Sequence, residues 1–195
     1  MSTPEKWKII KECWITNYEL SDEECAAILS NKGSGSRTQQ INKKIRTDTL
    51  SNEEKKYCLD LQTALNKLPS TKNAVIYRHL NFDGLKYERA QEFFTENLKK
   101  VIKFREFQSC TLRKCFTGTP EHYNWTIKIT PSVNGAAKDI YTFYEMIEDQ
   151  HDPEQEVCVL NDTCFKILSV NFFSDIKVCL QEIPCDSPST IVPEF

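Results

Sequence analysis

The sequence predicts an α+β domain, with helices first and strands after. Three observations carry that reading. Apolar residues recur at helical spacing through the first seventy positions. From residue 73 onward they gather instead into short β-branched runs bounded by turn residues. A single return to helical spacing, over 85–98, interrupts those runs. Helices and strands that are segregated along a chain, rather than alternating, suit α+β packing. A chain of 195 residues fits one domain. Its parts would be a helical portion over 1–70, a β-rich core over 71–183, and a tail over 184–195. There is no internal repeat and no low-complexity tract.

Taken in order, Trp7, Ile10 and Trp14 behind Pro4 give one apolar stripe and a first helix. Ser21 and Glu24 have the spacing of a capping box, opening a short helix that carries Ala26, Ala27 and Leu29. The run Asn31-Lys32-Gly33-Ser34-Gly35-Ser36 breaks the pattern, and Ile41 with Ile45 marks a third helix. Ser51 and Glu54 repeat the cap before Tyr57, Leu61, Leu65 and Leu68, and Pro69 ends that helix. Strands are predicted over 73–80, 101–109, 125–130, 154–160, 164–172 and 176–183. Tyr87, Ala90, Phe94 and Leu98 mark the helix between the first two, and Asn161-Asp162-Thr163 reads as a hairpin turn. The tail beyond Pro184 contains further prolines and reads as irregular and loosely held.

A net charge of −3 argues against nucleic acid as an obligatory partner. Lys99, Lys100, Lys103 and Arg105 around Phe104 then read as a solvated face rather than a binding patch. No apolar stretch is long enough to span a membrane, and Met1 to Lys6 lack the apolar core of a signal peptide. The expectation is a cytoplasmic monomer. Nine cysteines without a Cys-x-x-Cys pair, and only three histidines, make a zinc site unexpected. Several cysteines sit among apolar residues, as in Val157-Cys158-Val159, where a reduced thiol acts as a small hydrophobe. An odd count points to a reducing compartment, although a trimmed secreted form would allow one or two disulfides.

Three polar groups fall on or beside predicted strands. In Tyr77-Arg78-His79, the plain reading of Arg78 is a salt-bridge partner at a sheet edge. The functional one is a planar fork for phosphate oxygens. In Phe107-Gln108-Ser109-Cys110-Thr111, alternation puts Ser109 and Thr111 on one face, where both hydroxyls can serve a buried carboxylate. Two ordinary hydroxyls at a strand end is the plain alternative. Cys110 as a nucleophile would need an adjacent base, and no histidine is near in sequence. In Glu154-Gln155-Glu156-Val157, alternation puts both glutamates on one face of a strand entering the core. Such a pair is either surface decoration or a device for a cation or a developing positive charge. The paired carboxylates of a glycosidase normally come from separate elements across a sugar ring, and two glutamates alone are too few to hold a metal.

In this order, the three groups resemble the R-S-E class of mono-ADP-ribosyltransferases, which includes cholera-toxin-like toxins and the vertebrate arginine-specific enzymes. Arg78 matches the arginine of the first core strand. Phe107-Gln108-Ser109-Cys110-Thr111 matches the Phe-x-Ser-x-Ser/Thr element, and Glu154-Gln155-Glu156-Val157 matches Glu-x-Glu-Val. The following Phe165-Lys166-Ile167-Leu168 and the lead-in Ile41-Asn42-Lys43-Lys44-Ile45-Arg46 are also similar. The likeness covers roughly residues 30 to 183. It departs at His79, where the family usually has a glycine whose backbone pairs with the nicotinamide carboxamide, and at Cys110 within the second motif.

The resemblance implies two small β-sheets enclosing a cleft for NAD, which is the substrate, with no metal. It implies catalytic roles for Glu156, Glu154, Ser109 and Arg78, and NAD contacts from Arg78, His79, Ser109, Thr111 and Glu156. Glu156 would stabilise an oxocarbenium-like ribose, Ser109 would orient it, and Glu154 would take the proton of an incoming guanidinium. The partner implied is a protein bearing an acceptor arginine, met by the segment from Tyr141 to Pro153, whose aromatics read equally well as core side chains. The resemblance also implies delivery into a host cell as an effector, as an alternative to a cytoplasmic enzyme. Alternatives on the same residues are an NAD glycohydrolase and a non-catalytic binding module.

Overall fold

The structure is a computed structural model, which describes residues 12, 16–31, 37–71, 74–114, 123–142, 155–186 and 188–195. Most of the expected first helix, the Gly33–Ser36 loop, Glu154 and most of the Tyr141–Pro153 segment lie outside those residues.

Three helices lead. Helix α1 (Asp22–Leu29) and helix α3 (Asn52–Lys67) both open on the predicted capping boxes, Ser21 with Glu24 and Ser51 with Glu54. Each serine accepts from its glutamate's N–H while the glutamate accepts from the serine's N–H, which satisfies two donors a helix start leaves unpaired. Between them runs α2 (Arg37–Thr47), whose Ile41 and Ile45 are buried. The stripe Tyr57, Leu61, Ala64 and Leu65 of α3 closes over Ile28 of α1 and Ile41 of α2, forming the first core.

The strands are β1 (Ile76–Leu80), β2 (Val101–Phe104), β3 (Gln108–Thr111), β4 (Trp125–Thr130), β5 (Ala137–Asp139), β6 (Glu156–Val159), β7 (Thr163–Val170), β8 (Ile176–Ile183) and β9 (Thr190–Ile191). Helix α4 (Gly84–Glu96) follows β1. The α+β class expected from the sequence is the one observed. The two expected sheets are joined into one hydrogen-bonded series, ordered β5-β6-β3-β1-β4-β8-β7-β2-β9. The single run expected over 101–109 is two strands, separated by Arg105–Phe107. The second core gathers Ala90 and Phe94 of α4 with Ile76, Trp125, Ile127, Val157, Phe165, Ile167, Val178 and Leu180. The first core borrows Phe107, Ile140 and Cys158 from the sheet, so the helical part and the strands share one interior.

Two expectations are corrected. The tail is not loosely held. Strand β9 pairs in parallel with β2, Val192 is buried, and Phe195 packs its ring against Phe82, Phe93 and Phe94. Proline spacing hid this, because the partners that hold the tail lie about a hundred residues upstream. The cysteines are also not all reduced. Cys25, Cys58, Cys110, Cys158 and Cys179 are free, but Cys164 and Cys185 form a disulfide. Antiparallel pairing sets Cys164 beside Ile183, two residues before Cys185, and leaves the Cα atoms 5.3 Å apart, within bridging range.

Lys103 pairs with Asp162 at 2.9 Å, Phe104 is buried, and Lys99 and Lys100 are exposed. Among the described residues, no helix is long and apolar enough to cross a membrane. Among the same residues, no group of three or more His, Cys, Asp or Glu is placed to hold a metal ion.

Candidate active site

Strand β6 lies inside the sheet, between β5 and β3, and all four of its residues are buried. The chain enters it through Gln155 at φ 47°, a left-handed conformation that costs a non-glycine residue energy and turns the chain abruptly into the strand. The carbonyl of Gln155 accepts from the Leu112 N–H at 3.2 Å, so β3 and β6 are tied just beyond the ladder pair Thr111–Glu156.

Glu156 is therefore not surface decoration, with only 8% of its surface exposed. A buried carboxylate is costly unless it accepts hydrogen bonds. Ser109 supplies one, its Oγ donating to Glu156 Oε1 at 2.8 Å. The two are not directly opposite in the ladder. Ser109 faces Cys158 and Thr111 faces Glu156, so the Glu156 side chain reaches diagonally to the hydroxyl two residues away on its own face. Thr111 stands opposite Glu156, and its Oγ1 accepts from the Arg113 N–H at 3.0 Å.

The register carries this face across to β1, where Tyr77 pairs with Thr111. Tyr77, Thr111 and Glu156 thus form one row across three strands. Alternation brings His79 to the same side as Tyr77. The His79 ring lies 6.5 Å from Tyr77 at 11° and 5.8 Å from Tyr123 at 47°. Its Nδ1 is 3.0 Å from Thr126 Oγ1 and its Nε2 is 3.4 Å from the Arg113 carbonyl. Burial holds the imidazole below its ordinary value, against the opposing pull of that carbonyl. A neutral ring that donates to the Arg113 carbonyl must accept from the Thr126 hydroxyl. This side chain is tied to β4.

Arg78 stands on the other side of β1, opposite Ile127 of β4. β1 is interior, between β3 and β4, so Arg78 is not an edge residue. Its side chain is partly buried and makes no ion pair or hydrogen bond among the described residues. Burial pushes its guanidinium below the ordinary value, opposed by the fields of Cys110 and Glu106. A partly desolvated cation without a protein partner is suited to an anionic ligand. Cys110 lies one strand away, and burial pushes its thiol up to about 12, so it stays protonated at neutral pH and is no nucleophile.

The structure thus brings Ser109, Thr111 and Glu156 together, adds His79 to their side of the sheet, and sets Arg78 on the strand next to β3. Glu154 lies outside the described residues. Sequence reasoning passed over Tyr77, Thr126 and Asn42. Alternation along Tyr77-Arg78-His79 signals the first. Only tertiary pairing reveals the other two.

No protein-family model and no curated protein sequence matches the chain. Its fold does match solved ADP-ribosyltransferases. Vis toxin, an ADP-ribosyltransferase from Vibrio splendidus, superposes with a TM-score of 0.61 at 15% identity, covering 100% of this chain and 93% of Vis. Plx2a, an ADP-ribosyltransferase toxin from Paenibacillus larvae, gives 0.63 at 17%, covering 92% and 97%. The C3 exoenzyme of Clostridium limosum gives 0.62 at 15%, covering 94% and 96%. At such identities the likeness is one of fold, and the fold is that of the ADP-ribosyltransferases.

Proposed function

We propose that the protein is an NAD-dependent mono-ADP-ribosyltransferase that modifies arginine side chains and releases nicotinamide. The observation that carries this reading is the 2.8 Å hydrogen bond from the exposed Ser109 to the buried Glu156, on interior strands of an ADP-ribosyltransferase fold. Arg78 supports it, because a partly buried guanidinium without a protein partner offers a fork to diphosphate oxygens. The order of the three sequence motifs supports it further.

The chemistry asked of these residues is modest. Breaking the bond between ribose C1′ and the nicotinamide nitrogen sends the bonding electrons to nicotinamide and leaves positive charge on the ribose. Glu156 is fixed before the reaction begins, so its carboxylate stabilises that developing charge more than it stabilises neutral ribose. Ser109 keeps the carboxylate in place. Thr111 belongs to the same face, and His79, beside them, lines the approach. An acceptor guanidinium nitrogen then bonds to C1′, and its proton passes to Glu154. Arginine is favoured because the chain has Glu at the first position of Glu-x-Glu, where relatives with other acceptors often carry Gln. Vis has been solved in complex with agmatine, a small guanidinium compound, which supports an acceptor of that class in this fold.

The test is incubation with labelled NAD and a mixed cell lysate. The wild type is expected to label protein in a hydroxylamine-sensitive linkage, and Glu156→Gln to lower nicotinamide release by about 10²–10³-fold. Glu154→Gln is expected to lower transfer while hydrolysis of NAD persists. Nicotinamide release with no labelling of protein would instead identify a glycohydrolase. Neither product, together with no thermal shift at saturating NAD, would overturn the reading in favour of a binding module.

A further inference from the structure

Helix α2 hydrogen-bonds to the corner Arg105–Phe107 between β2 and β3. That corner belongs to neither strand, so its backbone groups need partners outside the ladders. Asn42 provides them. Its Nδ2 donates to the Phe107 carbonyl at 2.8 Å, and its Oδ1 accepts from the Phe107 N–H at 3.2 Å. The side-chain amide thereby serves as a one-residue strand partner. One turn later on the helix, Arg46 Nη1 lies 3.3 Å from Oε1 of the buried Glu106, and its Nη2 lies 3.4 Å from Glu194 of the tail. Ile41 and Ile45, each one position earlier, are buried in the same core as the Phe107 ring. Main chain, ring and neighbouring carboxylate of this corner are all gripped from α2.

Two residues beyond Phe107 comes Ser109. Its hydroxyl must reach Glu156 diagonally across the ladder, a contact sensitive to how β3 is rotated about its axis where it starts. Strand pairing fixes which residues lie opposite one another, but the strand's entry angle comes from what holds its first residue. Cys158 of β6 packs in the same core beneath α2, so the helix references both partner strands to one surface.

We propose that Asn42, seconded by Arg46, is a positioning residue that sets the entry of β3 and so holds Ser109 in hydrogen-bonding reach of Glu156. The proposal rests on the transferase reading for its catalytic consequence, but its geometry does not. Asn42 touches neither substrate nor reacting atoms, so its effect must pass through Ser109.

The experiment is a double-mutant cycle between Asn42→Ala and Ser109→Ala, read by nicotinamide release at a temperature where every variant is folded. Asn42→Ala is expected to lower kcat at least tenfold with KM for NAD changed less than twofold. In the Ser109→Ala background it should add nothing. Additive losses, or full activity in Asn42→Ala, would overturn the proposal. A second readout is independent of activity: the Glu156 carboxyl ¹³C chemical shift at neutral pH. It should move in Asn42→Ala to the position it takes in Ser109→Ala, and a wild-type shift in Asn42→Ala would sink the idea even if no NAD is cleaved. An inactive wild type in which the carboxyl shift still moves would fail the transferase reading while sparing the clamp.

Discussion

Ser109 and Glu156 are 47 positions apart, and their contact depends on both being on one face of paired strands. Alternation predicts the shared face of Ser109 and Thr111. It does not predict that Glu156 would be buried beside them. His79 belongs to this scale too. Its ring nitrogen Nδ1 lies 3.0 Å from the Thr126 hydroxyl, which ties the side chain to β4. The ring's burial carries a pH consequence. Its imidazole lies below the ordinary 6.5 in the folded protein, so the unfolded chain takes up the proton first as pH falls. The associated stability is present above pH 6.5 and is lost as pH falls through the folded imidazole's lower value. Melting temperature is expected to fall below pH 6.5, and less steeply in His79→Gln than in the wild type. Equal slopes in thermal melts would show that the ring's burial does not govern acid stability.

At the scale of elements, the turn from β4 to β5 is built around one carboxylate. Glu182 of β8 accepts from the N–H groups of Ser132 and Ala136, at 3.0 and 2.7 Å, and its own carbonyl accepts from the Ser132 hydroxyl. Gly135 sits over that carboxylate. A Cβ there would lie 2.4–2.7 Å from the Glu182 carboxylate atoms, well inside contact distance. A side chain at this position would have to push the Glu182 carboxylate off the N–H groups of Ser132 and Ala136. Gly135→Ala is expected to cost about 1–3 kcal/mol by overpacking, measured by urea unfolding. A neutral result would mean that the turn can move off Glu182. Strand β5 pairs with β6 through Asp139–Val157 and Ala137–Val159, so disturbing this turn also disturbs the strand beside Glu156.

Across the whole molecule, the C-terminal segment acts as a strap. The Cys164–Cys185 disulfide fixes its start to β7, β9 pairs with β2, Glu194 reaches Arg46, and Phe195 ends among Phe82, Phe93 and Phe94. The disulfide joins positions 21 apart, for which the chain-entropy model gives about 3 kcal/mol. Cys185→Ser, or reduction by a thiol, is therefore expected to lower the melting temperature in thermal scans. Reductant should leave the Cys185→Ser melt unchanged. An unchanged melt in both cases would mean that β9 and the aromatic contacts hold the strap unaided. A disulfide also bears on where the chain matures, since such bonds form and persist in oxidising compartments.

The sequence by itself determined the local features. Both capping boxes, the helix expected over 85–98, and the strands Trp125–Thr130 and Ile176–Ile183 were legible in it. These are set by spacing, turn chemistry and propensity within a few residues. What depends on partners distant in sequence was decided only by the tertiary structure. The split of 101–109 into two strands follows from α2 supplying Phe107 with hydrogen bonds from 65 positions away. The ordered tail follows from pairing with β2, and the disulfide from the pairing of β7 with β8. Periodicity assigns each side chain to a face of its own strand, whereas which faces meet depends on hydrogen-bonded register and on the cores that form between elements.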